Sequence, residues 1–130
     1  MKNLEIIVEE VIEESFYIHK KLGPGLLESV YEVILANRLE KKGFKVERQK
    51  SISINFDGIC LNEGFRIDLL IDDILIVELK SVEDISPVHS KQVLTYLKMM
   101  NLQLGLLINF GSALMKDGIK RIANGYGRQC

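Results

Sequence analysis

Two short apolar runs, 65–71 (FRIDLLI) and 74–80 (ILIVELK), are separated only by Asp72 and Asp73. Each is apolar at both odd and even positions. That pattern predicts strands in the middle of a sheet covered on both faces. Each run also carries charge where the pattern wants hydrocarbon: Asp68 in the first, Glu78 and Lys80 in the second. A charge inside such a strand costs several kcal/mol unless it is paired or binds a metal. The same three residues on a turn would constrain little.

Strand geometry sharpens the reading. Glu78 and Lys80 are two apart and share one side of their strand. In a hairpin, opposed residues have a constant index sum. A three-residue loop centred on Asp73 puts Asp68 opposite Glu78 on one face, whereas a two-residue Asp72-Asp73 loop puts them on opposite faces. Two carboxylates and an ammonium on one face suit a hard divalent cation such as Mg²⁺, which takes oxygen ligands and keeps several waters. The backbone carbonyl of Leu79 would add an oxygen. Lys80 would orient or help deprotonate an attacking water and stabilise developing negative charge. The competing reading of the same residues is a buried Asp/Glu–Lys ion pair.

The flanking pattern is helical. Leu4, Ile7, Val8, Val11, Ile12, Ile18 and Leu22 recur at helix spacing over residues 4–22, and Gly23-Pro24-Gly25 breaks the chain. A second helix is predicted from Leu26 to Lys42, closed by Gly43. Ile52, Ile54 and Phe56 alternate with Ser51, Ser53 and Asn55, which predicts a half-buried strand running into an Asp57-Gly58 hairpin turn. Ser86-Pro87 should cap and open a third helix ending near Asn101. Gln103–Asn109 reads as a buried strand ended by Gly111, and 115–123 leans to a strand. The order helix, helix, strand, strand, strand, helix, strand implies a single α/β domain over residues 1–130, with helices on a mixed sheet.

The 130 residues are enough for one core, and 17 basic against 18 acidic residues leave a net charge of −1. That argues against a disordered tail protein or a histone-like basic protein. Cys60 and Cys130 are no disulfide framework, no apolar run approaches a membrane span, and the N-terminus lacks a signal-peptide stretch. A cytoplasmic protein without a membrane partner is expected.

Asp68, then Glu78-Leu79-Lys80, resembles the Asp…(Asp/Glu)-x-Lys signature of the PD-(D/E)XK nuclease superfamily, with Ile67 where a Pro often precedes the Asp. Gly25-Leu-Leu-Glu28-Ser-Val-Tyr31 is similar to the signature of the GxxExxY proteins. The segments around Asp68, Lys80, Gln92-Val-Leu-Thr-Tyr96 and 105–111 resemble that family's later blocks in the same order. The resemblance implies a restriction-endonuclease-like α-β-β-β-α-β core with an extra N-terminal helix. It implies that Asp68, Glu78 and the helix carboxylate Glu28 ligate Mg²⁺ or Mn²⁺. Lys80 would be the catalytic lysine, and Gln92 would contact the site or the substrate phosphate. The implied activity is metal-dependent hydrolysis of nucleic-acid phosphodiesters, with DNA the expected substrate. The alternative is a catalytically silent nucleic-acid- or partner-binding module on the same fold. A homo-oligomer is compatible with so small a domain.

Other residues carry blander readings. Tyr31 is expected in the core with a bonded hydroxyl. His19 and His89 lack partners at metal-ligand spacing; His19 reads as structural or surface, and His89 lies one turn before Gln92. Residues 38–50 hold Arg38, Lys41, Lys42, Lys45, Arg48 and Lys50 against Glu40 and Glu47, a net +4; residues 111–130 hold Lys116, Lys120, Arg121 and Arg128 against Asp117, a net +3. These segments are candidates for tracking a phosphate backbone.

Overall fold

The computed structural model describes residues 3–62 and 65–125. The chain runs α1 (Leu4–Leu22), α2 (Glu28–Lys41), β1 (Val46–Ser51), β2 (Ile54–Phe56), β3 (Ile59–Leu61), β4 (Arg66–Ile71), β5 (Leu75–Lys80), α3 (Pro87–Met100), β6 (Leu104–Asn109) and β7 (Ile119–Ala123). Five strands form one mixed sheet in the order β1-β4-β5-β6-β7, in which only the β5–β6 pair is parallel. Helix α3 is the crossover that a parallel pair requires.

Both faces of the sheet are covered, which explains the unbroken apolar runs. Helices α1 and α2 lie over Leu69, Ile71, Leu75, Val77, Leu79, Leu106 and Ile108. Helix α3 brings Val93, Tyr96 and Leu97 onto Ile67, Leu70, Ile76 and Leu107 on the other side. This is the restriction-endonuclease-like arrangement, with α1 added before it.

Local chemistry sets the helix ends. Asn3 Oδ1 accepts from the amides of Glu5 and Ile6, and Gly23, with φ +71, closes α1. Ser86 Oγ accepts from Val88 N, while His89 Nδ1 accepts from Ser86 N, so His89 completes the cap of α3. His19 is structural: its Nε2 meets the Ser112 carbonyl at 2.8 Å. The second helix begins at Glu28 and not at Leu26. Leu26 N instead donates to the Tyr31 hydroxyl at 3.2 Å, and that hydroxyl donates to the Gly23 carbonyl. Tyr31 also stacks on Phe110, with ring centroids 4.3 Å apart. The Gly-x-x-Glu-x-x-Tyr spacing thus has a mechanical sense: a buried tyrosine on α2 pins the loop that leads into Glu28.

One expectation about the sheet needs correction. The first strand of the sheet is β1, Val46–Ser51, not the alternating stretch from Ile52 to Phe56. Ile54–Phe56 pairs with Ile59–Leu61 in a separate two-stranded hairpin, turned at Asp57-Gly58 with φ of 51° and 78°. As the edge strand, β1 pairs only with β4, so Glu47, Arg48, Gln49 and Lys50 are tolerated there and hide its period.

The basic stretch 38–50 is laced with ion pairs to acidic residues. Arg38 and Lys42 both bond the buried Glu14 on α1, Arg48 bonds Glu32, Lys45 bonds Asp73, and Lys50 bonds Glu47. Burial alone would raise the Glu14 carboxyl, but the Lys42 and Arg38 hydrogen bonds outweigh it and hold it below its ordinary value. Among the described residues, only Lys41 of the six basic side chains forms no salt bridge. In the second basic segment Arg121 pairs with Glu5, and Arg128 lies outside the described residues.

Removing the Tyr31 hydroxyl should loosen the loop before Glu28. Tyr31→Phe is expected to lose about 1–2 kcal/mol in urea unfolding, the usual size for leaving a buried partner unsatisfied. An unchanged unfolding midpoint would contradict the pinning role.

Candidate metal centre

Strands β4 and β5 pair at Ile71↔Leu75, Leu70↔Ile76 and Leu69↔Val77. This is the register of the three-residue loop, Asp72, Asp73 and Ile74. Asp72 and Asp73 both adopt left-handed backbone, with φ of 49° and 62°, which Asp tolerates better than most residues. Asp72 Oδ1 also accepts from Lys45 N at 2.8 Å. The next opposed position brings Asp68 against Glu78, and there side chains take over from the ladder. Asp68 N donates to Glu78 Oε2 at 3.0 Å, and Leu79 N donates to Asp68 Oδ2 at 2.9 Å. The two strands therefore part around the two carboxylates.

Position 68 is irregular on its other edge too. Leu69 and Ile71 pack toward α1 and α2, while Ile67 and Leu70 pack toward α3. Residues 67 and 69 should share a face, so the alternation of β4 slips at Asp68. The β1–β4 ladder is regular at Arg48↔Leu69 and Lys50↔Ile67 but skips Gln49 opposite Asp68. Asp68 thereby lines a groove of about 760 Å³ together with Glu28, Glu32, Arg48, Gln49 and Ser81.

Glu78 lies behind this groove and is only 5% exposed. Burial, reinforced by the hydrogen bond and charge of the Asp68 carboxylate, pushes its carboxyl up to about 9. The Asp68 amide and the charge of Lys80 pull the other way and do not prevail. Without a cation, Glu78 is therefore protonated at neutral pH. Burial and the nearby Glu78 charge also raise the Tyr96 hydroxyl above its ordinary value.

The remaining predicted residues fall around this pair. Lys80 is partly buried on β5, and among the described residues it forms no salt bridge. The buried ion pair that competed with the metal reading is thus not what the carboxylates make; they bond each other's strands instead. Glu28, the first residue of α2, reaches Ser81 N at 3.3 Å, one residue past Lys80. Gln92 Nε2 donates to the Tyr96 hydroxyl at 3.0 Å on α3, on the far side of the sheet from α2. The chain after Lys80 is clipped in place: Asn109 Oδ1 accepts from Val82 N and Gly111 N, and its Nδ2 donates to Val82 O. Gly111 needs hydrogen for a side chain, because a Cβ there would sit 2.2 Å from the Val82 carbonyl oxygen.

Sequence reasoning missed Glu32, Arg48 and Gln49, which line the groove. The available signal was the spacing of Glu28 and Glu32, four apart on one helix face.

Among the described residues, no three His, Cys, Asp or Glu side chains stand close enough to form a metal cluster. The donor set nonetheless fits a small hard cation. Mg²⁺ is usually bound through one or two carboxylates plus waters and substrate phosphate, and the Glu78 carboxyl, raised by burial beside a second carboxylate, is where a divalent ion would replace a proton. The chain matches the model of the PD-(D/E)XK nuclease superfamily over residues 5–122 and belongs to that superfamily. Members of this superfamily are generally nucleases and typically use divalent metals. No curated protein matches the chain.

The Glu78 shift sets a pH dependence. Its folded value of about 9 lies above its ordinary 4.5, so the folded protein holds an extra proton between those limits. Stability from this group is complete below the lower value and is lost as pH rises through the upper one. In EDTA, the urea midpoint should fall between about pH 6 and about pH 8.5, and Glu78→Gln should flatten that slope. Equal slopes in the two proteins would contradict the assignment.

Proposed function

We propose that this protein is a Mg²⁺- or Mn²⁺-dependent nuclease that hydrolyses phosphodiester bonds, with DNA as its nucleic acid. The observation that carries the reading is the Asp68–Glu78 pair, in which each carboxylate accepts from a backbone amide of the other's strand at the point where two central strands part. Asp68 and Glu78 would hold the ion, with the Leu79 carbonyl beside them and Glu28 across the groove. A bound divalent ion supplies Lewis-acid activation of water and neutralises charge on the phosphate. Lys80, free of a salt bridge, stabilises negative charge developing on the phosphoryl oxygens as water attacks phosphorus. Gln92, bonded to Tyr96, would contact the site or the substrate phosphate. Gly25, Glu28 and Tyr31 support placing the chain with the GxxExxY proteins. A cytoplasmic location fits a reading without a disulfide framework, and a second copy of the chain would help a small domain span a duplex.

Two substitutions test the roles. Asp68→Ala is expected to abolish cleavage of DNA in Mg²⁺ while the metal-free protein still folds, and to lower the Glu78 carboxyl toward its ordinary value, because the Asp68 charge is one cause of its rise. Lys80→Met should keep DNA affinity within a few-fold while slowing single-turnover cleavage by about 10²-fold or more. A large loss of stability with normal activity in the folded fraction would refute the catalytic role of Lys80. Binding without cleavage of any DNA or RNA form would instead favour the silent binding module.

A further inference from the structure

Gln49 stands on β1 at the position opposite Asp68, with the ladder intact on either side. Its backbone is left-handed, with φ +50. A strand interior excludes that conformation, and glutamine adopts it less readily than glycine or asparagine. The distortion has a visible product. Neighbouring strand residues ordinarily point to opposite faces, yet Arg48 and Gln49 both reach Glu32 on α2. Arg48 Nε donates to Glu32 Oε2 at 3.0 Å, and Gln49 Nε2 donates to Glu32 Oε1 at 2.7 Å. The same Gln49 nitrogen donates to Asp68 Oδ1 at 3.2 Å. One planar amide therefore bridges two carboxylates with its two N–H groups. Glu32 is 5% exposed, and each of its oxygens takes one of these bonds.

We propose that Gln49, held by Glu32 and Arg48, is the positioning residue of the Asp68–Glu78 centre, fixing the Asp68 carboxylate in the one orientation that receives a divalent cation. This deepens the metal reading of that centre and rests on it. Gln49 holds one Asp68 oxygen and Leu79 N–H holds the other. Each oxygen keeps a further lone pair for the ion. Glu32 lies one turn beyond Glu28, so the same link ties the helix carrying Glu28 to the strand carrying Asp68. Partners of this kind behind a metal ligand typically change metal affinity by about 10–100-fold when lost.

Gln49→Gly and Gln49→Asn separate positioning from structure. Both residues accept a left-handed backbone more easily than glutamine, and neither carries an amide N–H as far as Asp68. The experiment is a calorimetric Mn²⁺ titration of wild type and both variants, with thermal unfolding of each in EDTA. Positioning predicts Mn²⁺ bound about ten-fold or more weakly by the folded variants, whatever Tm in EDTA is lost to the Glu32 oxygen that each leaves without its donor. A merely structural Gln49 predicts a lowered Tm and unchanged Mn²⁺ affinity of the folded protein, which would overturn the proposal. If glycine loosens β1 so far that the variant does not fold, the asparagine variant decides on the same criteria. Wild type that binds no Mn²⁺ would remove the metal reading and this inference with it. Wild type and both variants binding equally would remove this inference alone.

Discussion

Two carboxylates meet where β4 and β5 cease to be hydrogen-bonded to each other, and much of the structure serves to hold them there. Asp68 and Glu78 would repel if both were ionised in so buried a place. The fold accommodates them with a protonated Glu78 and with backbone amides donated across the gap by Asp68 and Leu79. The covering helices keep water from Glu78, since β5 is the central strand and is packed on both faces, while Asp68 faces the groove. A core built only for stability would place leucine or valine at both positions. Retaining the carboxyl of Glu78 in the best-covered part of the sheet, beside Asp68, is the kind of local conflict that functional sites impose on an otherwise consistent fold.

The central part of this arrangement was readable from the amino-acid pattern. Two-sided apolar runs identified the middle strands, while a two- and a three-residue loop both stayed open, only the latter bringing Asp68 to Glu78. The structure has the three-residue loop. The end of α1 and the start of α3 were readable because Gly23, Ser86 and Pro87 act through local hydrogen bonds and fixed backbone angles.

What was not readable depends on tertiary partners. β1 has the sequence VERQKS, and an edge strand with one neighbour needs no apolar period. The regular alternation from Ile52 onward drew the assignment instead, but it belongs to a hairpin outside the sheet. Basic residues 38–50 looked like a charged track because their acidic partners, Glu10, Glu14, Glu32 and Asp73, come from elsewhere in the chain. Pairs this exposed add little stability. Gln49 was invisible for a similar reason: its left-handed backbone and its bridge to Glu32 and Asp68 exist only once β1, β4 and α2 are assembled.

The groove beside Asp68 is therefore assembled from three elements: α2 with Glu28 and Glu32, β1 with Arg48 and Gln49, and β4 with Asp68. Glu78 joins from β5 underneath. The most direct test of this account is a crystal structure of the protein soaked in Mn²⁺, with anomalous scattering used to locate the ion. The account predicts a peak between the Asp68 and Glu78 carboxylates, with Glu78 ionised and ligating. Manganese located elsewhere at full occupancy, with the contact from Asp68 N to Glu78 Oε2 unchanged, would contradict it.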